Sequence, residues 1–194
     1  MCGLFGLARP GPAVLAFLGL LSLSSAAVAH ELDISVNDDA FRSVFTLTLQ
    51  DNLRLEGGVL HNSDDGNVIS AGLLVTGDVA PAGEKLTGGI GARLAYLDGD
   101  GSQRDGYALG LGGSVRWALP GYERFALSAE GYWAPEVLCG GDAEEYLDGT
   151  VRFGYSVTRQ ADVYLGARYV RADYDNRPSA LFDTGMNIGF NLRF

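Results

Sequence analysis

Cysteine is nearly absent from this chain: of 194 residues only Cys2 and Cys139 are cysteine. Cys2 lies ahead of an apolar leader, so Cys139 is left without a partner and no disulfide scaffold within the chain is possible. Histidine is as scarce, with His30 and His61 alone. CxxC, HExxH and P-loop spacings are all missing, which removes the common redox, zinc-hydrolase and nucleotide signatures. Gly110-Leu111-Gly112-Gly113 is rich in glycine but lies inside a strand pattern, the wrong context for a dinucleotide loop. Beyond residue 30 no apolar run reaches eighteen residues, so no membrane helix is expected there. Positive charge is short as well: 14 Lys and Arg stand against 24 Asp and Glu. A polyanion would be repelled, which argues against nucleic acid as a partner.

The first 29 residues carry one charge, Arg9, followed by the apolar run Ala13–Leu23 and the small-residue ending Ala27-Val28-Ala29. That order is a secretory signal peptide. The run is too short for a spanning anchor, which needs ~20 apolar residues. We therefore expect a cleaved leader over 1–29 and one domain over 30–194, with net charge −11 once Arg9 is removed (13 against 24).

In that domain the dominant signal is alternation of period two. At the C-terminus Met186, Ile188, Phe190, Leu192 and Phe194 share one face, and Asn187, Gly189, Asn191 and Arg193 the other. The pattern recurs around Leu32, Phe45, Leu55, Leu73, Leu94, Leu109, Leu127, Phe153 and Leu165. This gives ten candidate strands, with eight or twelve as alternatives. Pro81, Pro120, Pro135 and Pro178 all fall between them, where a missing N–H breaks no ladder. Gln50–Asn52, Leu119–Gly121 and Thr158–Ala161 read as tight turns, and 98–105, 134–143 and 173–181 as longer loops. The expected fold is all-β: a closed antiparallel up-and-down transmembrane β-barrel.

A soluble barrel would alternate in the same way, so direction decides. Arg54, Glu56, Arg93, Arg116, Glu130, Asp148, Arg152, Arg168 and Arg193 all lie opposite the large apolar side chains, with Tyr132, Tyr146 and Tyr164 among them. In a membrane barrel these residues fill the lumen as a hydrogen-bonded, salt-bridged network. In a secreted soluble binding barrel they would form the wetted exterior. Trp117, Trp133, Tyr96, Tyr155, Tyr169 and Phe194 gather at strand ends, as interface girdles do.

Several segments carry a resemblance to a known family. They are His61-Asn62-Ser63-Asp64-Asp65-Gly66, Gly106–Gly113, Tyr132-Trp133-Ala134-Pro135-Glu136, Glu144-Glu145-Tyr146 and Gly166-Ala167-Arg168-Tyr169. In this order the chain resembles the YfaZ family of outer-membrane proteins. The resemblance implies a small outer-membrane barrel and carries no activity or site residue with it.

For function, the leading expectation is a structural or small-solute barrel with a largely filled lumen and no enzymatic activity, catalytic residue, cofactor or metal. Its expected partners are outer-membrane lipid, lipopolysaccharide, and the barrel-assembly machinery through the C-terminal strand ending in Phe194. The enzymatic alternative rests on His61 and Ser63. Their spacing resembles outer-membrane lipid A deacylases and places both side chains on one strand face, with Glu56 or Asp64 as the orienting carboxylate. Asp64-Asp65-Gly66-Asn67 and Asp98-Gly99-Asp100-Gly101 offer oxygen ligands for calcium, but neither completes an EF-hand, and turn chemistry explains both. Arg159, Arg171 and Arg177 at strand ends suit lipid phosphates or simple snorkelling.

Overall fold

In a computed structural model the described residues are 30–80, 85–99, 105–175 and 177–194, with the backbone alone at Arg177. The expected leader at 1–29 lies outside them. The strands are β1 (His30–Val36), β2 (Ala40–Gln50), β3 (Leu53–Asn62), β4 (Gly66–Asp78), β5 (Lys85–Gly99), β6 (Asp105–Ala118), β7 (Phe125–Ala134), β8 (Cys139–Gly141), β9 (Ala143–Ser156), β10 (Ala161–Tyr174) and β11 (Arg177–Arg193). Ten of them close a barrel. Each pairs antiparallel with its chain neighbours, β7 pairs with β9, and β1 pairs with β11 to seal the circle. The three-residue β8 takes over beside the upper part of β6 where β7 ends. A wall with both sides of every strand paired leaves no open edge, the condition for a sheet to sit in hydrocarbon.

The direction of the side chains is that of a membrane barrel. Ile90 is 75% exposed and Met186 70%, whereas Arg93 is 2% and Tyr132 1% exposed. Leu109, Phe153 and Phe190 all face outward, and Arg168 and Asp148 are buried inside. The secreted soluble barrel is thereby set aside, since it would hide the first group and wet the second.

Two aromatic belts bound the outer surface. The upper contains Tyr96, Tyr107, Trp133 and Tyr169; the lower contains Phe45, Trp117, Phe125, Tyr155 and Phe194. Tyr107 and Trp117 are ten residues apart in β6. At ~3.4 Å per residue and a tilt of ~40°, that separation spans about 25 Å along the membrane normal, the height of an outer-membrane apolar band. His30 and Phe194, at the lower end, exchange backbone hydrogen bonds of 2.8 and 2.9 Å. We take this end, which gathers both ends of the strand circuit, as the periplasmic side.

The structure corrects the expected loop at 173–181. β10 runs to Tyr174 and β11 begins at Arg177, so two strands project above the upper belt in place of a loose loop. The stretch 134–143 folds as one 3-10 turn, Glu136–Leu138, followed by β8. The alternation in β11 also breaks. The pairing with β10 shifts between Val170 and Arg171, and this bulge turns the consecutive residues Phe182 and Asp183 both inward. Gly185, just below, has φ +131°, a conformation that a side chain would strain.

Candidate functional site

The interior is layered. In the upper part Leu60, Val68, Leu97, Tyr146, Val170 and Phe182 pack with small residues such as Ala95 and Ala172 into one apolar cluster. The expected lumen was polar throughout; the upper part is instead packed like a soluble core, where the strands project beyond the bilayer.

Below that cluster sits a knot of charge. The Arg93 guanidinium donates to Asp148 at 2.9 Å, to Glu56 at 2.9 Å and to Glu130 at 2.5 Å. Its centre lies 4.0 Å over the Tyr132 ring. Arg42 approaches Glu130 and Asp148, both at 3.6 Å. Two guanidinium groups thus hold three carboxylates. A separate pair, Arg168 with Asp183 at 2.5 Å, is extended by Ser35, which accepts from Arg168, and by Asn37, which donates to Asp183. Lower still, Arg152 meets Asp33 at 3.3 Å, and the Tyr164 hydroxyl donates to the same carboxylate at 2.8 Å. Asp162 accepts from Arg116 at 3.2 Å and from Arg193 at 2.9 Å. Tyr164 fits because its neighbour is Gly189, where an added Cβ would lie 2.4 Å from the ring.

The luminal charges balance. Arg42, Arg54, Arg93, Arg116, Arg152, Arg168 and Arg193 stand against Glu31, Asp33, Glu56, Glu130, Asp148, Asp162 and Asp183, seven of each sign. Equal numbers keep the lumen near neutrality, and the most deeply buried of these charges, Arg93, Arg168, Asp148 and Asp183, are all paired. Every cation the sequence assigned to the lumen is there. Glu31, Asp33, Arg42, Asp162 and Asp183 were missed. Asp33 and Asp162 oppose Ile34 and Val163 in plain alternation and were legible, whereas the bulge hid Asp183.

Arg54 differs from the other luminal arginines. Among the described residues it has neither an ion pair nor a hydrogen-bond partner. It lines a cavity of about 120 Å³ with Thr76, Ser114, Arg116, Ser128, Glu130 and Arg152, among others. A smaller void of about 50 Å³ adjoins it, sharing Arg116, Ser128 and Arg152.

At the upper rim His61 and Ser63 line one open recess but do not hydrogen-bond to each other. His61 Nδ1 bonds Asn67 Oδ1 at 2.7 Å, and the Ser63 hydroxyl donates to the Asp39 carbonyl at 3.2 Å. Glu56 belongs to the knot inside, and the Asp64 backbone joins an Asx turn on Asn62. Among the described residues no three His, Cys, Asp or Glu side chains converge as metal ligands, and Asp100-Gly101 lies outside that set. Arg171 turns onto Asp173 at 2.8 Å. Arg159 lies exposed in the turn after β9, and the Arg177 side chain is outside the described set. The Cys139 thiol is half-buried against the Ala134 carbonyl, and burial aided by Glu145 pushes its pKa up, which suits a structural thiol better than a nucleophile.

Comparison with known proteins agrees with this architecture. A family described as "YfaZ precursor" matches residues 12–194. "Outer membrane protein YfaZ" of Escherichia coli (strain K12) is 30% identical over 147 residues, covering 73% of this chain and 75% of that protein. A solved structure described as "Unveiling the Mechanism Behind the in-meso Crystallization of Membrane Proteins" is 11% identical, covers 86% of this chain and 83% of its own, and superposes with a TM-score of 0.41. With an outward-facing apolar band, a closed ten-stranded wall and a family match across the whole barrel, the chain belongs to the YfaZ family of outer-membrane proteins.

Proposed function

We propose that this outer-membrane barrel is closed and non-enzymatic, with a structural role or a role toward small solutes that does not involve passing them through a pore. The observation that carries the reading is the Arg93 knot, buried in the middle of the lumen and roofed by the apolar cluster. Ten strands enclose a space that side chains can fill. Water would have to cross first a salt-bridged layer and then an apolar one. Lipid and lipopolysaccharide contact follows from the exposed apolar band. Recognition by the assembly machinery would read the last strand, whose Phe194 side chain lies exposed at the periplasmic rim. Planar-bilayer recording of the refolded protein tests the central claim. We expect no conductance steps, and stable open steps would overturn the closed-lumen reading.

A further inference from the structure

The void under the Arg93 knot is not explained by a purely structural barrel. It is lined by three guanidinium groups, Arg54, Arg116 and Arg152, against one carboxylate, Glu130. That carboxylate is already held by Arg93 and Arg42. Arg116 and Arg152 each have one carboxylate partner, on the side of the smaller void. Arg54 has none among the described residues. Around it stand hydroxyl groups without partners among the described residues, those of Thr76, Ser114 and Ser128. A cation facing an enclosed space without a counter-charge favours whatever anion can enter. The volume of about 120 Å³ is several times what one water needs (~10–15 Å³), yet far too small for a nucleotide or a lipid headgroup with its glycerol.

Access is from below. Thr76 lies two residues from the lower end of β4, and Arg116 two from that of β6. The knot and the apolar cluster close the way up. We propose that this cavity is a periplasm-facing binding site for one small oxyanion, of phosphate, sulfate or carboxylate type, with Arg54 as the charge that captures it and the hydroxyl groups as its hydrogen-bond donors. Guanidinium groups present paired N–H donors that match such oxyanions, and hydrogen bonds of this kind are the strong ones. The site does not depend on whether the barrel conducts. A channel seen in bilayers would leave the binding measurement untouched.

The test uses the whole barrel refolded in a maltoside detergent, free of phosphate. Inorganic phosphate is titrated in, with calorimetry or phosphorus-NMR line width as the readout. We expect saturable one-to-one binding, displaced by sulfate and insensitive to an uncharged sugar. Arg54→Gln should weaken it at least about tenfold, the loss of one charge-assisted contact. Arg54→Lys should recover part of the loss, and Arg171→Gln at the upper rim should change nothing. Heat-modifiable gel migration checks that each variant is folded. Arg54 leaves no partner stranded when replaced, so the variants should pass that check. Absence of saturable binding by the folded wild type, or equal binding by Arg54→Gln, would overturn the proposal.

Discussion

At the scale of single residues, Arg93 determines whether the lumen is a solid or a sponge. Its three carboxylates lie within 2.9 Å, and among the described residues the only other cation within 4 Å of them is Arg42, which approaches two of them at 3.6 Å. Arg93→Gln keeps much of the volume and removes the charge. Stranded buried carboxylates should lower stability by about 3–5 kcal/mol. Reversible unfolding in urea, in lipid vesicles, measures the difference. A loss under about 1 kcal/mol, the range of an exposed pair, would mean the knot is far wetter than its burial implies. Much of this layer was legible in the sequence, because Arg93, Glu56, Glu130 and Asp148 each fall on the face opposite a run of large apolar side chains. The pairing among them was not legible. It depends on strands brought together around the circle, and chain order does not disclose which strand faces which across a lumen. Arg42 was missed because Ala40-Phe41-Arg42-Ser43-Val44 mixes small and branched residues on both faces, blurring the alternation.

At the scale of the strand, outer and inner faces obey different solvents. Leu111 is 55% exposed near the middle of β6, between Tyr107 and Trp117, so its neighbour is hydrocarbon. Leu111→Arg should cost about 2–4 kcal/mol in a bilayer. Val137 is more exposed, at 87%, but sits in the 3-10 turn above the upper belt. Val137→Arg should be near neutral in the same unfolding assay. Equal costs for the two would mean that the apolar band has been placed at the wrong height. Apart from β8 and the blurred upper half of β2, strand existence and facing were readable from β1 to the lower part of β11. What failed was the upper part of β10 and β11. Asp173-Tyr174-Asp175 and Pro178 look like loop chemistry, and one bulged residue at Phe182–Asp183 reverses the parity, so the two halves of β11 disagree about which face is inside. The apolar cluster was overlooked for a related reason. Leu60, Leu97 and Val170 are out of phase with their strands' outer faces, so a reading of the outward apolar pattern passes over them.

At the scale of the whole molecule, the circle closes through β1 and β11, where six consecutive residue pairs run from Glu31 with Arg193 to Val36 with Ile188. Across that seam Asn191 donates to Glu31 over 160 residues of chain. Because His30 and Phe194 already touch, a chain with the two joined by a short linker and opened instead in the turn at 157–160 should refold to the same heat-modifiable band on gels. Failure of that permuted chain, alongside success of the native order, would show that the seam is more than a geometric closure. The seam also governs timing. A contact between the two extremes of the chain is the slowest kind to form, since the loop-closure entropy of everything between them is lost first. During export β1 emerges ahead of every other strand and must wait for β11, the last to arrive. Throughout that interval the apolar strand faces have no lipid and no finished wall, so we expect the exported chain to aggregate unless those faces are shielded until the final strand is released.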